Sequence, residues 1–176
     1  AGRSPFKTLF GYASMRAEDG REMHKSWGNA IEFNEAADKA GVDAMRWLFA
    51  SHNPEQNLLF GYDTIKEEAQ RKFLTVWNVY SFFITYASIE KFDPNAAKVP
   101  TAERNVLDRW ILGALQNLIR DAHHGYSNYQ LHVYMRSVER FVDDLSNWYV
   151  RRSRRRFWKT EDDKDKLAAL QTLHEV

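Results

Sequence analysis

From residue 20 the chain reads Gly20-Arg21-Glu22-Met23-His24-Lys25-Ser26-Trp27-Gly28-Asn29. Two glycines bracket a Lys-Ser pair, and the backbone freedom they provide lets an ammonium group and a hydroxyl converge on phosphate oxygens without steric cost. Lys25 would supply the charge and Ser26 a second donor. The same residue types also suit a solvated surface turn, so the run needs support from elsewhere in the chain.

A second constellation lies far downstream. Arg151, Arg152, Arg154, Arg155, Arg156 and Lys159 place six cations in nine residues, on a chain of net charge +1 that is otherwise richer in acids than in bases. A local basic end on an acidic body is the pattern of a positioned anion contact. On a helix that continues the stripe of Leu145 and Tyr149, Arg152 and Arg156 project to the buried side, and Arg151 and Arg154 to the other. Arg152 and Arg156 then need carboxylates or a facing domain, or must snorkel out, and with Trp148 are expected to brace a junction. Arg151, Arg154 and Lys159 are placed for phosphates, which arginine grips with a planar fork of donors. The alternative for these three is an ordinary solvated face.

These side chains must be held by folded elements, and 44% hydrophobic and 14% aromatic residues over 176 positions suffice for one or two small domains with a real core. Residues 6–14 are aromatic and β-compatible and predict a strand, followed by a turn at Ala17-Glu18-Asp19-Gly20. That strand has no evident partner, which suggests a sheet whose other strands lie outside this sequence. Asn34 is expected to cap a helix to Lys39, closed by Gly41, and Asp43 another to about Ser51. From Asp63 onward, Ile65, Ala69, Phe73, Val76, Trp77, Tyr80, Phe83, Ile84 and Ala87 recur at three- and four-residue steps, predicting one long amphipathic helix. A loop follows over residues 91–101. A second helix carries Leu107, Trp110, Ile111, Ala114, Leu118 and Ala122 and frays near Gly125. A third carries Tyr134, Val138, Phe141, Val142, Leu145, Trp148 and Tyr149, and residues 162–175 form a last segment with Leu167, Leu170 and Leu173. Facing stripes of this kind make an antiparallel bundle, with Trp77, Trp110 and Trp148 in its core.

The segment Phe141-Val142-Asp143-Asp144-Leu145-Ser146-Asn147-Trp148-Tyr149-Val150-Arg151-Arg152-Ser153-Arg154-Arg155-Arg156-Phe157-Trp158 resembles a stretch of the anticodon-binding domain of isoleucyl-tRNA synthetases. Residues 20–29 are similar to the same family's Lys-Met-Ser-Lys-Ser signature, and Asp108-Arg109-Trp110-Ile111-Leu112 resembles a third stretch between them. The three occur in family order and span most of the chain. The resemblance implies a mainly α protein: the end of a nucleotide-binding catalytic domain with a small strand, loop and short helices over residues 1–60, then a helical anticodon-binding domain over residues 61–176. It implies that Lys25 stabilises charge on the departing pyrophosphate, with Ser26 as the neighbouring hydroxyl and Met23 as the packing residue, so that Met23, His24, Lys25 and Ser26 form the ATP-side loop. The intact enzyme would use ATP and Mg2+ to activate isoleucine and charge tRNA(Ile), in the cytoplasm and as a monomer. This piece alone is expected to do neither, since it contains no amino-acid pocket, His-x-Gly-His signature or editing domain.

Two positions depart from the family pattern. Glu22 stands where the family has lysine and must turn away from phosphate or pair with Arg21. His24 stands where the family has serine, and either donates to phosphate or sits in solvent. Valyl and leucyl enzymes share the loop and bundle, but the arginine run followed by Phe157-Trp158 is closer to the isoleucine enzymes. The rival of another class is a stand-alone helical RNA-binding module or scaffold, and residues 6–14 discriminate: unpaired or makeshift contacts favour an excised segment, a completed local sheet favours the module.

Other polar groups carry no chemistry. His123-His124-Gly125-Tyr126 lacks the final histidine of the family's other signature and follows the lysine loop instead of preceding it. With no cysteine and His132 off helical spacing, no metal site is expected. Asp143 and Asp144 diverge by about 100 degrees on a helix, too far for shared acid-base work. No apolar run reaches membrane-spanning length.

Overall fold

A computed structural model describes residues 2, 4–159 and 162–176. In chain order the elements are β1 (Met15–Ala17), α1 (Phe33–Ala40), α2 (Val42–Ser51), β2 (Leu58–Phe60) and α3 (Tyr62–Ile65). A π-helical stretch (Lys66–Gln70) leads into α4 (Arg71–Ile89). Then come α5 (Val106–Ser127), α6 (Leu131–Asp143), a second π-helical stretch (Asp144–Val150), α7 (Arg151–Trp158) and α8 (Asp163–Glu175). Two compact units result: Ala1–Arg71 with Gly125–Met135, and Lys72–His124 with Arg136–Val176. Among the described residues no helix is long and apolar enough to cross a membrane.

In the first unit the expected strand over residues 6–14 is irregular, and the strand that forms is β1, just beyond it. Aromatic content favours a strand only where a neighbour completes the ladder and covers the side chains. Here Ala13 N donates to the Pro54 carbonyl and Ser14 N to Asn57 Oδ1, while Leu9 and Tyr12 are each 80% exposed. β1 pairs in parallel with β2, Met15 opposite Leu58, whereas residues 6–14 join no ladder. A parallel pair needs a long crossover, and α1 and α2 supply it. Glu32 caps α1 rather than Asn34, its carboxylate accepting from Asn34 N and Glu35 N, and Gly41 (φ 85) closes that helix and opens α2, leaving Asp43 in the first turn. Ala36, Met45, Leu48, Leu58, Phe60, Ile65 and Ala69 form the core.

The α5–α6 turn does not break at Gly125. α5 runs on to Ser127, Tyr129 takes the left-handed conformation (φ 57), and Gln130 N donates to the Gly125 carbonyl at 2.8 Å, the wide bond of a Schellman motif. Gly125 serves close packing instead: a Cβ there would lie 2.7 Å from Tyr134 Cβ.

In the second unit α5 pairs antiparallel with the α6–α7 helix, Asp121 accepting from Ser137 and Asp108 from Tyr149. The core joins Val79, Ile111, Phe141, Tyr149, Phe157, Ala169, Leu170 and Leu173. α8 is the most enclosed element, buried continuously from Ala168 to Leu173. The tryptophans are not in this core: Trp77, Trp110 and Trp148 are 63%, 39% and 51% exposed. The apolar stripe of α4 is wider than the surface it covers, so Phe82, Phe83 and Tyr86 take the inner positions and Trp77 and Tyr80 pair on the flank with rings 5.7 Å apart.

Candidate functional site

The lysine loop leaves β1 through a tight turn at Gly20 (φ 82). Its base is closed by Ala17 N donating to the Arg21 carbonyl at 2.9 Å and by an antiparallel bridge between Arg16 and Glu22. Asn29 closes the other side, its Oδ1 accepting from His24 N and its Nδ2 donating to the Glu22 carbonyl, both at 2.9 Å. Lys25–Trp27 then make one 3-10 turn, ended by Gly28 in the left-handed conformation (φ 71). Only a residue without a Cβ adopts that angle at no cost.

On this frame Met23 packs against the first unit's core. Glu22 does not pair with Arg21, which binds Asp19 at 2.6 Å instead. Its carboxylate meets His24 Nε2 at 3.2 Å, and the His24 ring sits edge-on to Trp27, centroids 4.2 Å apart. Lys25 and Ser26 are exposed, and Lys25 makes no ion pair among the described residues. The anion nearest in sequence is thus engaged by the histidine, and the ammonium stands free on a fixed turn. Such a group suits a polyphosphate, whose charge it can meet without first breaking a salt bridge.

The basic residues of α7 separate differently from a simple helical projection. The π-helical stretch before α7 turns less per residue than an α-helix. It therefore keeps Phe141, Tyr149, Ser153 and Phe157 on one buried face. Arg152 is left exposed, its guanidinium 5.0 Å from the Trp148 ring, so it does not point into the core as an unbroken helix would require. Arg154 lies 5.7 Å over Phe82. With Arg151, Asn78, Phe82 and Ser146 it lines a cleft of about 260 Å³. Lys159 is exposed just beyond the end of α7.

Arg156 turns inward. It grips Asp108 with two nitrogens, both at 2.7 Å, and Asp165 of α8 at 2.8 and 2.7 Å. Asp108 is fully buried and also accepts from the Tyr149 hydroxyl at 2.7 Å. Burial, reinforced by the Asp108 charge, raises the Tyr149 pKa well above its ordinary value. For Arg156 burial acts downward, but the hydrogen bonds to Asp108 and Asp165 outweigh it and hold the guanidinium charged. A second buried arginine, Arg104, went unmarked in the sequence because it stands alone in a loop. Its Nε donates to the Val99 carbonyl, Nη1 to Thr172 Oγ1 and Nη2 to Glu175 Oε1. Among the described residues no cluster of side chains could hold a metal ion.

Residues 1–60 match the family model of tRNA synthetases class I (I, L, M and V), and residues 108–176 that of the anticodon-binding domain of tRNA ligases. Isoleucine-tRNA ligase of Dehalococcoides mccartyi strain CBDB1 is 44% identical over 174 residues, covering 98% of this chain and 17% of the relative. That of Clostridium tetani is 42% identical over 175 residues, again 98% and 17%. That of Thermus thermophilus is 40% identical over 178 residues, 99% and 17%. The chain spans about a sixth of the length of these curated relatives.

Proposed function

The chain belongs to the class I tRNA synthetases, and from that premise we propose that it works as part of an isoleucine-tRNA ligase, supplying the lysine loop beside ATP and a helical surface for tRNA(Ile). The similarity to isoleucine-tRNA ligases over 98% of the chain carries this reading. When the isoleucine carboxylate attacks the α-phosphate, negative charge builds on the departing pyrophosphate, and Lys25 meets it more strongly in the transition state than in the bound substrate. Ser26 adds a donor, and Met23 anchors the loop to the core. Mg2+ accompanies ATP as the usual counter-charge. The reaction serves translation in the cytoplasm, and a monomer suffices. The irregular residues 6–14, with their exposed aromatic side chains, are covered by further parts of the ligase.

Two experiments test the reading. In the Thermus thermophilus enzyme carrying this segment in place of its own, Lys25→Ala should slow isoleucine-dependent ATP-pyrophosphate exchange on the order of a hundredfold, mainly in kcat. An unchanged rate would remove Lys25 from the chemistry. The 176-residue chain itself should bind tRNA(Ile) more tightly at low salt, and Arg151→Ala with Arg154→Ala should weaken binding and flatten its salt dependence by about two counterions. Equal affinity for variant and parent at both salt concentrations would make those arginines a solvated face.

A further inference from the structure

One side chain fastens the base of the lysine loop. Glu18, the first residue after β1, accepts a hydrogen bond from the Thr64 backbone N–H at 2.7 Å through Oε1. Thr64 lies in the first turn of α3, where N–H groups have no partner within the helix and the local field favours an anion. The residue preceding α3, Gly61, offers no side chain to do this work. It offers space instead: a Cβ built there would lie 2.1 Å from Glu18 Cδ and 2.2 Å from Cγ. The Gly61 backbone is extended, φ −178 and ψ 177, a conformation open to any residue. Glycine at this position leaves room for the Glu18 carboxylate where it sits and is not needed for the chain path, and a Cβ there would displace that side chain.

Glu18 is joined through the chain itself to Ala17 and Asp19, where the hydrogen bonds that frame the loop begin. Gly20 N donates to the Ala17 carbonyl at 2.9 Å, and Arg16 Nη1 to the Gly20 carbonyl at 3.2 Å. The Arg16–Glu22 bridge and the two Asn29 bonds carry the frame to His24, immediately before Lys25. We propose that Glu18 is a positioning residue for the lysine loop: its carboxylate, seated on the first turn of α3 in the space left by Gly61, fixes the backbone turn from which Lys25 projects. Its functional meaning rests on the reading of Lys25 as the cation beside ATP.

Hydrogen exchange on the 176-residue chain, resolved by peptide, tests this with Glu18→Ala, Glu18→Gln, Gly61→Ala and the Glu18→Ala/Gly61→Ala double variant. Glu18→Ala should speed exchange about fivefold over residues 21–29 as well as 62–66, leaving α5 to α8 unchanged. Gly61→Ala should do the same by expelling the carboxylate. The double variant should be no worse than Glu18→Ala, because the side chain that the new methyl would strike is gone. Glu18→Gln keeps the acceptor and should stay within about twofold of the parent. Acceleration confined to residues 62–66 would reduce Glu18 to a helix cap and overturn the proposal. Acceleration throughout the chain, or additive losses in the double variant, would overturn it as well. The Lys25→Ala assay judges the functional reading separately, since a loop fastened by Glu18 yet indifferent to loss of Lys25 defeats that reading and not the latch.

Discussion

Asp108→Ala is expected to cost the second unit about 3–5 kcal/mol of unfolding free energy, because it leaves a buried charge and a buried hydroxyl without their shared acceptor. Asp108 sits at the meeting point of three elements: it is in the first turn of α5, takes two hydrogen bonds from Arg156 of α7, and takes another from Tyr149. Arg156 in turn holds Asp165 in the first turn of α8. The Arg156 side chain is 12% exposed and Asp108 not at all, so water can replace little of what is lost. Asp108→Asn should cost less, about 2 kcal/mol, since the amide oxygen still accepts while one guanidinium bond meets a donor. Urea unfolding followed by tryptophan fluorescence measures both. An Asp108→Ala midpoint equal to the parent's would mean that the three-way contact contributes nothing net. The same cluster sets an alkaline limit. The Tyr149 pKa is raised in the fold, so the stability it contributes is complete below pH 10.0, its ordinary value, and is lost as pH climbs beyond. Tyr149→Phe should remove that dependence.

What was legible in the sequence follows from which forces are local. The long helix from Asp63 could be read because its apolar spacing repeats from Ile65 to Ala87, and the close of α1 at Gly41 because a positive φ selects glycine. The Lys25 loop announced itself through residue types, and its family through three stretches in order. Other features depend on partners remote in sequence. Residues 6–14 carry strand-like side chains, yet only three residues beyond them find a neighbour, Leu58–Phe60, after two intervening helices. Trp77 and Trp148 fit an apolar stripe, but helical spacing does not reveal how wide a surface the packed elements cover. The projection brought Arg156 to the buried side, where it stands, but assumed an unbroken α-helix for Arg152, and a π-helical stretch over seven residues precedes that exposed residue. Asp108 was visible as part of a family match and Arg156 as an arginine in need of carboxylates, but neither their pairing nor the share of Asp165 in it was. Each of these depends on a contact between residues remote in sequence or on a break in helical regularity, which no local pattern encodes.

Arg104→Ala should cost about 3 kcal/mol, and Arg104→Lys most of that, although both remove a residue that looks unremarkable in sequence. The Arg104 side chain is 2% exposed, and three of its nitrogens each have a different acceptor. Two of these, Thr172 Oγ1 and Glu175 Oε1, lie on α8, and the third is the Val99 carbonyl in the loop after α4. Gln171 ties the same loop to α8 from the other side, Oε1 accepting from Val99 N at 2.9 Å and Nε2 donating to the Ala97 carbonyl at 3.0 Å. An ammonium on a flexible stem cannot meet three acceptors set around a planar fork, so lysine leaves at least one buried oxygen unpaired. Glu175→Gln should cost under about 1 kcal/mol, because that partner is one-quarter exposed and keeps an acceptor. Exchange at the buried amides of α8 separates local from global loss. Release of α8 alone, with α5 and α6 still protected, identifies Arg104 as the residue that docks this helix. Equal deprotection everywhere would show that α8 docks and unfolds with the whole unit, through the Asp108 and Arg156 contact as much as through Arg104.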